Sequence, residues 1–343
     1  MIEEVLGRLL DRRELSAPDV DRTFDALTAS TAVDAERTAL LVALSARPGS
    51  TVELVRFAEA LRRRAVPFPV SRRDRAVDLC GSGGAPVPSF NVSTVGAIVV
   101  AAAGASVVKH GNRSSRGPCG SSDLLEALGL PVTTSLAFSR VSYRRHRLAF
   151  LHAPLYHPAT RSVVPARRLV GIPTIFNRLG PLSNPARVPF QVVGVASREA
   201  VVPVATALGR LGVTRAVAMS SEDGCDEFSP RRPTHFALWE GRRVRTGRLS
   251  PERLLEGEER RGEWGALPPP AAAEETRRIL AGGGGARRGA VLLTGGVALW
   301  VSGRAPSIPR GIAKARESLD DGRADRLLES LERLASRFRE RGP

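Results

Sequence analysis

Lysine is almost absent from this 343-residue chain: it occurs only at Lys109 and Lys314, so 49 of the 51 basic residues are arginine. Cysteine is scarce as well. Cys80, Cys119 and Cys225 are odd in number and far apart, without the paired spacing of a zinc site or a redox pair, and reduced thiols are the expectation. Long apolar runs are missing. The longest, Val95 to Ala105, falls far short of the ~20 residues a membrane-spanning helix needs. The first fifteen residues interrupt their apolar positions with Glu and Arg, which excludes the apolar core of a signal peptide. A cytoplasmic protein with no membrane partner is expected.

What is present is ordinary globular material, 42% hydrophobic and 25% charged, which sets aside disordered, collagenous and coiled-coil classes. The length suits two domains, or one large domain with an appendage. A net charge of +16 invites polyanions. The basic residues are nevertheless scattered in pairs such as Arg72-Arg73, Arg144-Arg145 and Arg287-Arg288, without the interleaved aromatics of a single-strand platform. Nucleic acid is not the expected partner.

Two regions differ in pattern. Residues 1 to about 65 read as helices: Ile2, Val5, Leu6, Leu9 and Leu10 keep helical spacing, Ser16 with Pro18 and Asp19 opens a second helix, and others follow at Asp34 to Leu44 and Val52 to Arg64. A Ser50/Glu53 capping box is expected to open the last of these. After Pro67-Phe68-Pro69, short apolar runs alternate with helical patterns. Ala76 to Cys80, Ala105 to Lys109, Ala149 to Leu151, Phe190 to Ala196 and Arg215 to Met219 are candidate strands of a largely parallel α/β sheet. Residues 255 to 290 read as loops around a helix at Ala271 to Leu280. Ala290 to Ser302 fits strand or helix equally, and Leu327, Leu331, Leu334 and Phe338 mark a terminal amphipathic helix. The fold class is therefore α/β, with a helical domain at 1–68 and an α/β domain at 69–343.

Three segments carry chemistry. The first candidate strand runs into Gly81-Ser82-Gly83-Gly84, and Asn91-Val92-Ser93-Thr94 opens an apolar helix. Glycines admit a bulky anion to the backbone and a helix start offers free N–H groups, so together they form a phosphate cradle. Either alone also describes a tight turn or a cap. The second candidate strand ends in Lys109-His110-Gly111-Asn112-Arg113, whose two cations are expected to face the cradle across the carboxyl ends of the sheet. The third segment is Glu222-Asp223-Gly224-Cys225-Asp226-Glu227, whose adjacent carboxylates suit Mg²⁺ completing its shell with substrate phosphate. Tyr156 to Arg168 reads as a helical stretch with Arg161, Arg167 and Arg168, and an arginine there can grip a planar carboxylate.

The strings DLCGSGGAPVPSFNVSTVGA, VVKHGNRSSRGPCGSSDLLEALG, FLHAPLYHPATRSVVPARRLVGIPTIFNRLGPLSNPA and GCDEFSP resemble the anthranilate phosphoribosyltransferase family, of the nucleoside phosphorylase-like (class III) phosphoribosyltransferase fold. The resemblance covers most of the chain, in family order and spacing. It implies Mg²⁺-dependent transfer of phosphoribosyl from phosphoribosyl pyrophosphate (PRPP) to an aromatic acid, most directly anthranilate as in tryptophan biosynthesis, by a homodimer. By position, Gly81, Gly83 and Gly84 would wrap the pyrophosphate, while Asn91, Ser93, Thr94 and Lys109 would contact phosphates and ribose. Ser93, Asp226 and Glu227 would hold Mg²⁺. Asn112 and Arg167 would receive the aromatic acid, Arg167 taking its carboxylate, and His110 and His157 would line the acceptor channel. Pro173 to Pro185 would form a second wall near the hinge, with helices from about 157–185 joining the helical domain.

There are departures from the family pattern. Ala85 stands where the family has an acidic residue, and Arg116-Gly117-Pro118 stands where it has Ser-Ser-Lys. Both fall where PRPP is expected, which motivates an alternative: the same fold acting on another aromatic acceptor. A nucleoside phosphorylase and a non-catalytic nucleic-acid-binding relative are the other rivals. The implied reaction needs no covalent nucleophile. It rests on stabilising the departing pyrophosphate, on positioning the amine, and on closure of the helical domain to exclude water.

Overall fold

The computed structural model describes residues 2–29, 31–47, 49–83, 85–114 and 117–340. The apolar stripe of the first residues forms α1 (Ile2–Leu10), and Ser16 begins α2 (Ala17–Thr28) with a complete capping box to Asp19. Next come α3 (Asp34–Ser45) and α4 (Thr51–Arg63). The box expected at α4 is only half made. Ser50 Oγ accepts from Glu53 N at 3.0 Å, but the Glu53 carboxylate turns away to Arg47 and to the Leu15 N–H. A buried carboxylate gains more from a guanidinium than from a neutral cap donor.

The alternating segments form β1 (Val77–Gly81), α5 (Val92–Ala102), β2 (Val107–Gly111), α6 (Ser121–Ala127), α7 (Leu136–His146) and β3 (Leu148–His152). Beyond them the expected helical stretch from Tyr156 to Arg168 is broken. The chain makes α8 (Ala153–Tyr156), a 3-10 segment from Pro158 to Val163, and α9 (Val164–Val170). Pro158 and Pro165 supply no N–H to carry one helix through. Arg161 and Arg168 therefore belong to separate, exposed turns, and Arg161 Nε bonds only the Pro154 carbonyl at 3.3 Å.

Then follow α10 (Ile175–Leu179), β4 (Phe190–Gly194), α11 (Val201–Arg210), β5 (Arg215–Ser221), β6 (Thr234–Glu240) and β7 (Arg243–Leu249). The strands form one sheet in the order β3-β2-β1-β4-β5-β6-β7, parallel through β5 and antiparallel beyond. The β6–β7 hairpin was not expected from sequence. Its turn, Gly241-Arg242, has positive φ at both residues (56° and 64°), the geometry that matches strand twist. Arg243, Arg245 and Arg248 are exposed along β7 and guard this sheet edge against pairing.

The chain closes with α12 (Pro269–Leu280), α13 (Ala286–Val301), α14 (Ile308–Asp320) and α15 (Arg323–Glu340). The ambiguous Ala290 to Ser302 is thus helical, and it is buried nearly all round. That full burial erased its periodicity. One core joins α5 and α12–α15 to one face of the sheet. A second joins Phe24, Leu41 and Phe57 of the first helices to Ala166, Phe176 and Leu179, and runs on to Val193 and Val204. Val163, Ala166, Phe176, Leu179 and Leu182 thus share a core with the N-terminal helices. Among the described residues no helix is long and apolar enough to cross a membrane.

Candidate active site

The carboxyl ends of β1, β2 and β4 lie side by side, and the loop after β5 folds back across them. There Asp226 Oδ2 accepts from Gly83 N at 3.0 Å and faces Ser82 Oγ at 3.5 Å. This approach needs a bare backbone beneath it: a Cβ on Gly194 would sit 1.7 Å from the Asp226 carbonyl oxygen. Glu227 Oε1 accepts from Ser93 N at 3.2 Å, at the start of α5. Lys109, at the end of β2, donates to the Ser93 hydroxyl at 3.2 Å and the Leu79 carbonyl at 2.5 Å.

Lys109, Asp226 and Glu227 are all buried, at 3%, 9% and 6% exposure. Burial, reinforced by the charge of Asp226, pushes the Glu227 carboxyl up to about 8, and burial raises Asp226 too. Two desolvated carboxylates facing a single ammonium leave room for further positive charge. The donors are all oxygen, from two carboxylates and a hydroxyl, which is the chemistry of Mg²⁺. Among the described residues no group of three or more His, Cys, Asp or Glu side chains could hold a metal alone.

The other expected phosphate residues surround this cluster. Thr94 is buried in the first turn of α5, and Asn91 Nδ2 bonds the Cys119 carbonyl at 3.1 Å, tying the start of α5 to the 117–120 segment. Gly84, Ser115 and Arg116 lie outside the described residues. Two expectations fail. Arg113 does not face the cradle: it turns to Asp123 (2.8 Å) and Glu126 (2.6 Å) on α6, because two carboxylates of its own neighbourhood lie within reach. The acidic run divides as well, since Glu222 points away to His235 (3.0 Å) and Arg248 (2.9 Å).

On the facing side, the rings of His110 and His157 stack edge-on at 5.1 Å. His110 Nδ1 lies 3.3 Å from the Gly180 carbonyl. Burial holds both histidines neutral, lowering His110 well below its ordinary value and His157 to about 4. The Asn112 side chain is exposed, and its Oδ1 accepts from Arg113 N at 2.8 Å. Arg167, on α9, lies over the Phe176 ring at 5.5 Å and donates to Asn177 Oδ1 at 3.3 Å. Burial lowers its pKa. Among the described residues no carboxylate reaches it within ion-pair distance.

Sequence reasoning passed over two residues. Asp78, fully buried inside β1, accepts from His110 N (3.2 Å), Asn184 Nδ2 (2.8 Å) and Gln191 Nε2 (3.3 Å), and burial raises it to about 6. A lone charge in an apolar strand was the available signal. Asn177 donates to the Gly83 carbonyl at 3.3 Å, and its signal was Thr174 three residues earlier. A cavity of about 670 Å³ borders Ser82 and Asn177, between the α3–α4 turn and the start of α11. It touches neither the carboxylates nor Lys109.

This architecture matches known proteins along almost its whole length. Residues 3–65 match the helical bundle domain of the glycosyl transferase family and residues 73–325 its a/b domain, which defines the class as a two-part glycosyl transferase. An anthranilate phosphoribosyltransferase from Persephonella marina is 37% identical over 96% of this chain and 98% of its own. The chain belongs to the anthranilate phosphoribosyltransferase family. The crystal structure of that enzyme from Thermus thermophilus superimposes with a TM-score of 0.87 at 34% identity, covering 97% of this chain and 99% of that one. The Saccharomyces cerevisiae enzyme in complex with PRPP and Mg gives 0.86 at 25% identity, covering 98% of each.

Proposed function

We propose that this protein transfers the phosphoribosyl group of PRPP to the amine of anthranilate and releases pyrophosphate, the reaction type of tryptophan biosynthesis. The observation that carries this reading is the convergence of Asp226 and Glu227 on the glycine turn and the start of α5, with Lys109 between them. PRPP would lie along Gly81, Gly83, Asn91, Ser93, Thr94 and Lys109. Asp226, Glu227 and Ser93 would hold Mg²⁺, which when bound supplies positive charge to the departing pyrophosphate.

The acceptor nitrogen forms a bond to ribose C1 as the bond from C1 to the pyrophosphate oxygen breaks. Pyrophosphate leaves with the electron pair, and the amine sheds a proton to solvent. Asn112 and Arg167 receive the aromatic acid, Arg167 taking its carboxylate, and neutral His110 and His157 wall the channel without repelling or protonating the amine. The chain's own contribution is orientation and charge placement rather than a covalent intermediate. Closing the cleft on a unit made of residues 1–68 and 157–185 would keep water from ribose C1. The shared core of these two segments supports treating them as one body. Three buried, unpaired cysteines fit a reducing, cytoplasmic setting.

The second reading is another aromatic acceptor, favoured by Ala85, which lacks the carboxylate the family places beside the glycine turn. The test is turnover with PRPP, Mg²⁺ and a panel of aminobenzoates and hydroxybenzoates, following pyrophosphate release and the ribosylated product. Anthranilate is expected to be the best substrate. Turnover confined to a different benzoate moves the assignment to that acceptor, and tight, selective nucleic-acid binding with no turnover overturns both.

A further inference from the structure

Asn177 touches both halves of the cleft. At the third position of α10 its Oδ1 accepts from Thr174 N at 3.0 Å, closing the N-terminal cap, and from Arg167 Nη2 at 3.3 Å. Its Nδ2 donates to the Gly83 carbonyl at 3.3 Å. The amide can face only one way, because the opposite flip would set an NH₂ group against two donors. Gly83 in turn donates its own N–H to Asp226. A chain of contacts therefore runs from the Asp226 carboxylate to the Gly83 N–H, across the Gly83 Cα to its carbonyl, and through the Asn177 amide to the Arg167 guanidinium.

We propose that Asn177 is a positioning residue that couples the two substrate sites, so that an anion held by the glycine turn and an aromatic carboxylate held by Arg167 each tighten the other. This rests on the reading of Arg167 as the acceptor's anchor. The physical ground is that one rigid amide cannot serve two mobile partners independently. An anion that orders the glycine turn fixes the Gly83 carbonyl and hence Asn177. Fixing Asn177 holds the Arg167 fork in one orientation, and the acceptor then meets an ordered guanidinium instead of having to order it. Linkage makes the effect reciprocal.

The test titrates anthranilate calorimetrically, with and without saturating Mg²⁺-pyrophosphate, which lacks the ribose needed for turnover. The native protein is expected to bind anthranilate roughly fivefold or more tightly when the pyrophosphate is present, the lower range of measured couplings. Asn177→Ala should abolish that difference. Because this change also removes a helix cap, Asn177→Asp serves as the second variant. It keeps both acceptor roles of Oδ1, including the cap, but loses the donor to Gly83 and sets a carboxylate against Arg167, so anthranilate should bind more weakly with and without pyrophosphate while the ratio of the two affinities, which reads the coupling, falls to one, at a melting temperature close to native. Coupling retained in Asn177→Asp, or absent from the native protein, overturns the proposal. Arg167→Ala, measured in parallel, separates the two readings. If it leaves anthranilate affinity unchanged, the role of Arg167 fails; if it abolishes that affinity while Asn177→Asp still couples, only the role of Asn177 fails.

Discussion

A guanidinium drawn out of water with no carboxylate beside it stores free energy for an anion that has yet to arrive, and Arg167 is in that position. Losing its charge-assisted hydrogen bonds, worth ~1.5–3 kcal/mol, should lower kcat/KM for anthranilate roughly ten- to a hundredfold in Arg167→Ala. PRPP affinity should stay nearly unchanged, which steady-state kinetics with each substrate varied will show. A second expectation concerns acid. Burial lowers His152 and His157 from 6.5 to about 4, and it lowers His110 well below its ordinary value. At these histidines the unfolded chain binds more protons than the folded one between pH 4 and 6.5, so their contribution to stability falls as the pH drops through that window. Asp78, raised to about 6, Glu227, raised to about 8, and Asp226, also raised by burial, act in the opposite sense, so the histidine effect is read by difference. The urea midpoint of His157→Gln, taken relative to the native protein, should rise from pH 7 to 5.5 to 4.5.

At the scale of elements, legibility followed locality. β1, α5 and β2 were readable because Gly81 and Lys109-His110-Gly111 mark strand ends within a few residues. The β6–β7 hairpin was not, since Gly241-Arg242 lacks the Asn-Gly signature and the arginines of β7 hide its alternation. The phosphate residues were named from motifs, whereas Asp78 and Asn177 act across 106 and 94 positions of sequence, to Asn184 and Gly83 respectively, separations that no local window reveals. α13 gave no period because it is wrapped, and it crosses α14 at close range. There a Cβ on Gly311 would lie 2.2 Å from the Gly296 carbonyl oxygen. Gly311→Ala must push the two backbones apart and should cost about 1–3 kcal/mol, seen as a lower melting temperature with substrate KM values unaltered.

For the molecule as a whole, the basic residues are spread along the chain, and many sit in ion pairs such as Arg63–Asp21, Arg113–Glu126 and Arg316–Glu259. The apolar surface is more concentrated. Leu10, Val33, Val42, Leu169 and Ile172 are 47–75% exposed, and they lie on or beside α1, α3 and α9, which pack against one another. The homodimer that the family resemblance implies is proposed to bury these side chains. Sedimentation equilibrium should give twice the monomer mass, and Leu169→Glu should shift the protein towards the monomer. A native protein that sediments as a monomer would refute the dimer.

The near-absence of lysine gives the chain an unusual chemical handle. Of its two side-chain amines, Lys314 is partly exposed, whereas Lys109 is buried with its ammonium bonded to Leu79 and Ser93 at the heart of the cleft. An amine-selective acylating reagent should therefore modify the Lys314 side chain quickly and Lys109 only when the cleft opens. A single slow mass increment, read by intact-protein mass spectrometry, becomes a clock for opening at the site itself, and substrate should slow it.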